Sequence, residues 1–516
     1  MKKKIVTLIC IFTMTMIISP FSVLAQKGDN GYEGGISLGN REGKTPIEYQ
    51  EVCFITGEPV VLKGTLNINK TKKQDMINAT YTYKLGNVDK SATLTRTLVY
   101  SIKLTKSSDG QELGKISFTR TPTEVLRINN VNYILKNYEF DFSSLTDPQP
   151  AINYFAGNIR AKKVYQIGNV NDGRTVTQEI TGKLFGYDQY WGSIETAALN
   201  YQIDWEKPGI HWGGTAQINL SASVTNELEY TENIPEQISF KGGYIQLENN
   251  SSILAYSCNL PELDSEGEPT YRMIETEGSL KLEAPPVQTR LPIPELSHLR
   301  GHWVEEEIKK LYSLQVFKNN ESDLKPEKFI TRAEFVSAVM EAVKEVPQDP
   351  ALVGKNAERK TVASSRRRGA TTNDEEEMSP FLDVPKDHLY YSQINDAYKK
   401  SLISGKRQDK FAPDDNINIG EAAVIFIRAL GLENLAPNPY AITPFNDDEE
   451  IPEYARNAVY VAYKIGLING DERGYLKPDS NITIGNAAHI INKFIDYMCE
   501  GIKNDWEKNI KNTYSF

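Results

Sequence analysis

From about Tyr49 to Glu283, apolar and polar positions alternate with a period of two. In the clearest run, Ala92 to Thr105, Leu94, Leu98, Tyr100, Ile102 and Leu104 share one face. Thr93, Thr95, Thr97, Ser101 and Lys103 share the other. Alternation of this length predicts a strand with one buried and one wet face. Similar strands are predicted at 125–128, 132–142, 162–167, 175–185, 216–223, 237–241, 244–247 and 279–283. Asn129-Asn130, Asn171-Asp172-Gly173 and Gly242-Gly243 read as hairpin turns between them. Antiparallel strands joined this way predict an all-β sandwich or an open barrel over residues 46–284.

Beyond the proline-bearing stretch 285–294, read as a stiff linker, the period changes to 3.6. Trp303, Ile308, Leu311, Tyr312 and Val316 form one apolar helical stripe. Phe335, Val336, Val339, Met340 and Val343 form the next. The helix–loop–helix pattern occurs three times, centred on Ile330-Thr-Arg-Ala-Glu334, Ile417-Asn-Ile-Gly-Glu421 and Ile482-Thr-Ile-Gly-Asn486. The equivalent isoleucines lie 87 and 65 residues apart, so the first interval carries a surplus of 22. The charged stretch 347–380, with Arg366-Arg-Arg368 and Asp374-Glu-Glu-Glu377, accounts for it and is predicted to be a disordered insertion. The repeats then span 295–346, 381–440 and 441–500, with a tail at 501–516, which makes the chain multidomain.

At the other end, Lys2-Lys3-Lys4, an apolar run and Val23-Leu24-Ala25 read as a signal peptide, residues 1–25, with cleavage before Gln26 expected over an uncleaved membrane anchor. Residues 26–45, rich in Gly, Asn and charge, read as a flexible leader. No later stretch has the roughly 20 apolar residues of a spanning helix, so export without a membrane span is expected. Cleavage takes the net charge from −10 to −13, because residues 1–25 hold three lysines and no acid. That balance argues against nucleic-acid binding. Three cysteines remain, Cys53, Cys258 and Cys499. Two readings stand for the first two, a disulfide in an exported domain or buried free thiols.

Candidate chemistry in the first half is sparse. Trp191, Trp205 and Trp212 lie in one polar, glycine-bearing stretch, 186–214. They are candidate glycan-facing aromatics, or else core. His211 stands alone beside Trp212. Glu139 and Asp141 share one face of a strand and read as solvated charge. No metal set, cofactor loop or catalytic motif appears, and the chain is expected not to be an enzyme. The segment Glu51–Thr65 resembles uncharacterised surface proteins of clostridia-type bacteria, which implies no function.

The repeats are more telling. Phe381-Leu-Asp-Val384, His302-Trp303, Gly466-Leu-Ile-Asn-Gly470, Phe411-Ala-Pro413 and Ile330-Thr-Arg-Ala-Glu334 resemble the S-layer homology (SLH) domain, in three copies over about residues 295–500. The resemblance implies an all-α three-repeat pseudo-trimer. It also implies non-covalent binding of secondary cell-wall polymer, often an acidic, pyruvylated glycan, in grooves between repeats. Other surface-layer proteins are a second class of partner.

Thr331-x-x-Glu334 and Asn418-x-x-Glu421 read as helix capping boxes, and Thr483-x-x-Asn486 as half of one. Arg332 is not needed for a cap. Two readings stand: an exposed first-turn residue or local salt bridge, or a fork that holds a carboxylate together with the free amides of its turn; the resemblance implies that it contacts the wall glycan. Trp303, Asp383 and Glu334 complete the candidate polymer-binding set. Ile419 and Ile484 stand where Arg332 stands in the first repeat, so the family's binding residues carry over to repeat one, and polymer binding by the other two is left open. The reading is an exported, wall-anchored surface protein of a bacterium. Its β-rich half displays a structural domain, with a carbohydrate-binding adhesin or a glycoside hydrolase as alternatives.

Overall fold

The computed structural model describes residues 33–38, 46–108, 110–169, 171, 173–231, 242–263, 269–318, 323–344 and 379–513. The expected signal peptide, the strand at 237–241 and most of the charged insertion lie outside them.

The alternating half forms one antiparallel sheet. Its strands are β1 (Ile36–Ser37), β2 (Ile47–Cys53), β3 (Val60–Lys73), β4 (Met76–Asn87), β5 (Ala92–Lys106), β6 (Glu112–Phe118) and β7 (Thr123–Ile128). There follow β8 (Val131–Pro148), β9 (Asn153–Ile167), β10 (Thr175–Gln189), β11 (Gly192–Lys207), β12 (Ile210–Thr231), β13 (Gly243–Leu263) and β14 (Pro269–Pro292). Strands pair in chain order, except that β6 and β7 lie end to end between β5 and β8. The predicted turn at Asn129-Asn130 joins β7 to β8 with both residues at positive φ, as a tight hairpin requires.

Of the two expected arrangements, the hydrogen bonding describes one continuous sheet and not two. It curls, so that Ser252 on β13 donates its hydroxyl to the carbonyl of Ser37 on β1 (2.5 Å). Phe54, just after β2, packs its ring against Tyr201 (5.6 Å) and Tyr256 (6.0 Å) across the interior. The enclosed face is mainly apolar, with Leu62, Tyr81, Leu98, Tyr165, Leu199, Ile218 and Leu254 buried.

Two sequence expectations need correction. Part of the supposed leader is structural: Ile36 and Ser37 pair with Gln50 and Tyr49, and the Glu33 side chain is buried. The supposed linker is mostly strand, because β14 runs to Pro292. Pro285 and Pro286 fall at an irregularity of its pairing with β13, where a missing N–H is tolerated. The tail forms a helix. Cys53, Cys258 and Cys499 are all free thiols.

The second half is helical: α1 (Glu305–Ser313), α2 (Arg332–Ala342), α3 (Tyr391–Lys399), α4 (Ile419–Leu430), α5 (Glu453–Lys464), α6 (Ile484–Asp496) and α7 (Ile502–Thr513). No helix among the described residues is long and apolar enough to cross a membrane. The central helices α2, α4 and α6 meet through Phe335, Phe426 and Phe494, with ring centroids 5.4 and 4.8 Å apart. The first helix of each repeat packs on the second helix of another: α1 on α6, α3 on α2, α5 on α4.

The sheet seats its hairpin tips on the C-terminal ends of the three central helices. Trp191 Nε1 donates to the carbonyl of Ala342 at the end of α2 (2.8 Å). Ala151 N–H and Tyr154 Oη donate to Ala429 and Leu430 at the end of α4 (2.9 and 3.2 Å). Gln189 Nε2 donates to Met498, just past α6 (2.5 Å). The last carbonyls of a helix have no partner within it, so these contacts supply caps from the other half of the chain. Ile152, Tyr187, Trp191 and Ile194 are buried in the same apolar core as the helices.

Candidate functional site

At their opposite ends the three central helices are tied into a ring. Ile330 N–H donates to Ile482 O (3.0 Å), Ile482 N–H to Ile417 O (3.0 Å), and Ile417 N–H to Ile330 O (3.3 Å). The next amides repeat the pattern. Arg332, Ile419 and Ile484 donate to Asp415, Ser480 and Lys328 (2.8, 3.2 and 2.8 Å). Ala333, Gly420 and Gly485 donate to Pro413, Pro478 and Pro326 (3.1, 3.0 and 2.8 Å).

The third amide of each helix is capped from within its repeat. Thr331 and Asn418 close full boxes with Glu334 and Glu421, whereas Thr483 accepts from Asn486 without a return bond. Glu334 therefore serves the cap. The amides of the Arg332 turn are not open to a ligand as expected, since a neighbouring loop already occupies them.

Arg332 itself is 7 % exposed. Nη1 meets Glu421 Oε1 at 2.7 Å, Nε donates to the carbonyl of Phe411 (3.2 Å), and the guanidinium lies 4.9 Å from the Phe411 ring. Asp383 accepts the amides of Phe411 (2.9 Å) and Ala412 (2.7 Å), holding the turn in which Ala412 has a φ of 60°. Asp447 does the same for Leu476 and Lys477 in the third repeat.

Trp303 is 61 % exposed. Its edge lies over Gly485 at the start of α6, where an added Cβ would stand 3.3 Å from Cζ2, and beside the rings of His302 and His489 (5.9 and 6.3 Å). His302 Nε2 and Glu327 are 3.0 Å apart. Five residues before the equivalent core positions Ile308, Ile394 and Val459 stand Trp303, Leu389 and Tyr454, with exposures of 61, 69 and 58 %. The Tyr454 hydroxyl is 3.5 Å from the Cβ position of Gly420 on α4.

The exchanged helix packing therefore separates residues that the sequence places in one repeat. Trp303 faces α6, which carries Ile484, whereas Arg332 lies in the α2–α4 contact. The exposed aromatics Trp303 and Tyr454 sit over the helices that carry isoleucine and glycine.

The aromatic stretch of the sheet is a correction. Trp191, Trp205 and Trp212 are 1, 7 and 7 % exposed. Trp205 and Trp212 stack on each other (6.1 Å, 16°) in the enclosed face, and Trp191 enters the helical core. They offer no surface to a glycan.

A cluster within the sheet was missed. Arg96 makes a two-pronged contact with Glu51 (2.8 and 2.9 Å) and binds Glu124 (2.8 Å) and Glu33 (3.3 Å). Lys163 joins Glu33 and Glu124, and Tyr138 and Tyr165 donate to the same two carboxylates. Burial alone would raise Glu124, but Arg96 and Lys163 hold it at about 2. The signal was present, since Arg96 shares the parity of Leu94 and Leu98, and a buried charge requires a partner. No cluster able to ligate a metal occurs among the described residues.

Residues 296–336, 380–423 and 444–483 match the S-layer homology domain. The chain is similar to an amylopullulanase of Thermoanaerobacterium thermosulfurigenes, at 27 % identity over 37 % of this chain and 9 % of that protein. It is similar to exoglucanase XynX of Acetivibrio thermocellus, at 26 % over 42 % of this chain and 17 % of the relative. It is also similar to S-layer protein EA1 of Bacillus anthracis, at 29 % over 22 % of this chain and 12 % of the relative. The chain thus spans less than a fifth of the length of these relatives. Its C-terminal part contains three S-layer homology domains, which place the protein at the bacterial cell surface.

Proposed function

We propose that the chain is a non-enzymatic anchor. Its three repeats form a pseudo-trimer that holds secondary cell-wall polymer, and its curled sheet is the displayed domain. The cyclic exchange of isoleucine hydrogen bonds supports the pseudo-trimer. The observation that carries the binding role is the solvent-facing Trp303 ring over Gly485. A sugar face can stack on such a ring, and the missing Cβ leaves room beside it.

The polymer is proposed to be an acidic, pyruvylated glycan. Arg332 takes its carboxylate only by exchanging Glu421, because the two are already paired. The likeness to glycosidases runs through SLH-containing regions. Glu33, Glu51 and Glu124 are bonded to Arg96, which favours a structural role over acid–base work.

The test is sedimentation of the full chain with purified wall sacculi. The wild type pellets, and Trp303→Ala weakens binding on the order of tenfold, as loss of an aromatic anchor does. Anchoring is refuted if the wild type stays in the supernatant, or if stripping the secondary polymer changes nothing. Unaltered binding by Trp303→Ala refutes the groove assignment alone.

A further inference from the structure

Strand β14 ends the sheet path, and among the described residues β13 alone pairs with it. A long edge strand with one free side is a template for another strand. Natural edges are commonly blunted by proline, and β14 carries prolines at 269, 285, 286 and 292. Residues 270–284 between them contain none.

Within that window Leu280 and Leu282 point into the curled sheet and are buried. Glu275, Glu277, Lys281 and Glu283 lie on the exposed face, where Lys281 Nζ holds Glu283 at 2.6 Å. Met273 and Ile274 near its start are 45 and 40 % exposed.

The window is self-complementary in one register. Set antiparallel to itself about Gly278, it places Glu275 opposite Lys281, Glu277 opposite Ser279 and Met273 opposite Glu283. On the inner face Ile274 meets Leu282 and Thr276 meets Leu280. Each pair occurs twice because the arrangement is two-fold. A shift of two residues one way sets Glu277 against itself, and the other way offsets each Glu277–Lys281 pair with a Glu275–Glu283 repulsion, so neither gains the unopposed ion pairs of the Gly278 register. Opposite charges directly across a strand pair stabilise it and like charges destabilise it, so charge selects the Gly278 register.

We propose that two copies of this chain pair their β14 edges antiparallel about Gly278, joining two sheets into one. The occupant of the edge is thus a second copy, in the self-complementary geometry of a two-fold interface.

The test uses the full chain and measures mass by light scattering across a concentration series. The wild type is expected to dimerise with a dissociation constant in the micromolar range, that is, roughly −8 kcal/mol. Lys281→Glu makes the facing positions uniformly acidic, and Glu275→Lys makes them uniformly basic. Each is expected to weaken the dimer at least tenfold. A one-to-one mixture restores both ion pairs and is expected to recover a mixed dimer at wild-type strength. Both substitutions are at exposed positions, and circular dichroism of each variant checks the fold. A wild type that is monomeric throughout overturns the proposal. So does a dimer indifferent to either substitution, or a mixture no tighter than its components.

Discussion

Replacing Trp191 by alanine should weaken the coupling between the two halves of the molecule without separating them. The side chain is 1 % exposed, packs edge-on against Tyr190 (5.0 Å) and caps Ala342 at the end of α2. Truncating a buried Trp to Ala costs about 3–5 kcal/mol. The unpaired Ala342 carbonyl contributes about 1–3 kcal/mol of that total if water cannot reach it. For a unit of this size, the loss corresponds to a fall of roughly 10 °C in the melting temperature. The remaining contacts, at Gln189, Ala151 and Tyr154, sit on the other two central helices, so α2 alone loses its seat.

Differential scanning calorimetry of the full chain is the assay, with near-ultraviolet circular dichroism as a second probe. The wild type is expected to unfold in one transition because the core is shared, and Trp191→Ala in two, the helical half first. Trp191→Phe keeps most of the ring volume and loses the donor, so it isolates the hydrogen bond and should lie between them. A Trp191→Ala protein that melts in one transition within about 2 °C of the wild type would refute the shared-core reasoning.

Other substitutions separate fold from binding. Glu421→Ala leaves Arg332 buried without its carboxylate and should lower stability to urea by about 3–5 kcal/mol, while sacculus binding is retained or strengthened. Asp383→Asn loses charge-assisted bonds to two amides and should lower stability by about 1–2 kcal/mol, with polymer binding unchanged in the same pelleting assay. Arg96→Ala strands the buried Glu51 and leaves Lys163, among the described residues, as the one cation for Glu33 and Glu124, so it should prevent folding of the sheet half, read as loss of its β signal in circular dichroism. Burial raises Glu195 to about 8 from an ordinary 4.5, despite the attraction of Lys70. The folded state therefore prefers the protonated acid, and stability erodes as pH climbs from 4.5 to 8. Glu195→Gln should remove that erosion, with an advantage over wild type that grows across this window and then levels off in pH-dependent urea melts.

What could be read from sequence was local. The parity of Leu94, Leu98 and Tyr100 fixed the buried face of β5, and the boxes at Thr331 and Asn418 fixed two helix starts. Strand ends were harder, because Ser193–Ala197 is buried on both faces where the hairpin meets the helices, and alternation disappears there. Partners far along the chain left no periodic trace. Trp191 meets a carbonyl 151 residues away, and Arg96 meets carboxylates 28 and 45 residues away. The exchange of helices between repeats is likewise a long-range choice. For that reason Trp303 and Arg332 read as one site and fold into two contacts.

The two ends of α2, α4 and α6 have different duties, and that gives the protein a mechanical axis. A ring of backbone bonds closes the N-terminal end, and a β-sheet seats on the C-terminal end about 18 Å away, the rise of roughly 12 residues. A load applied at the ring reaches the sheet through three short columns in parallel, α4 footed on the β8–β9 hairpin and α2 and α6 on the β10–β11 hairpin. Losing one footing tilts the sheet on the other two and does not release it. Such an anchor tolerates damage to a single repeat at the display end, while a break in the closed ring frees all three columns together.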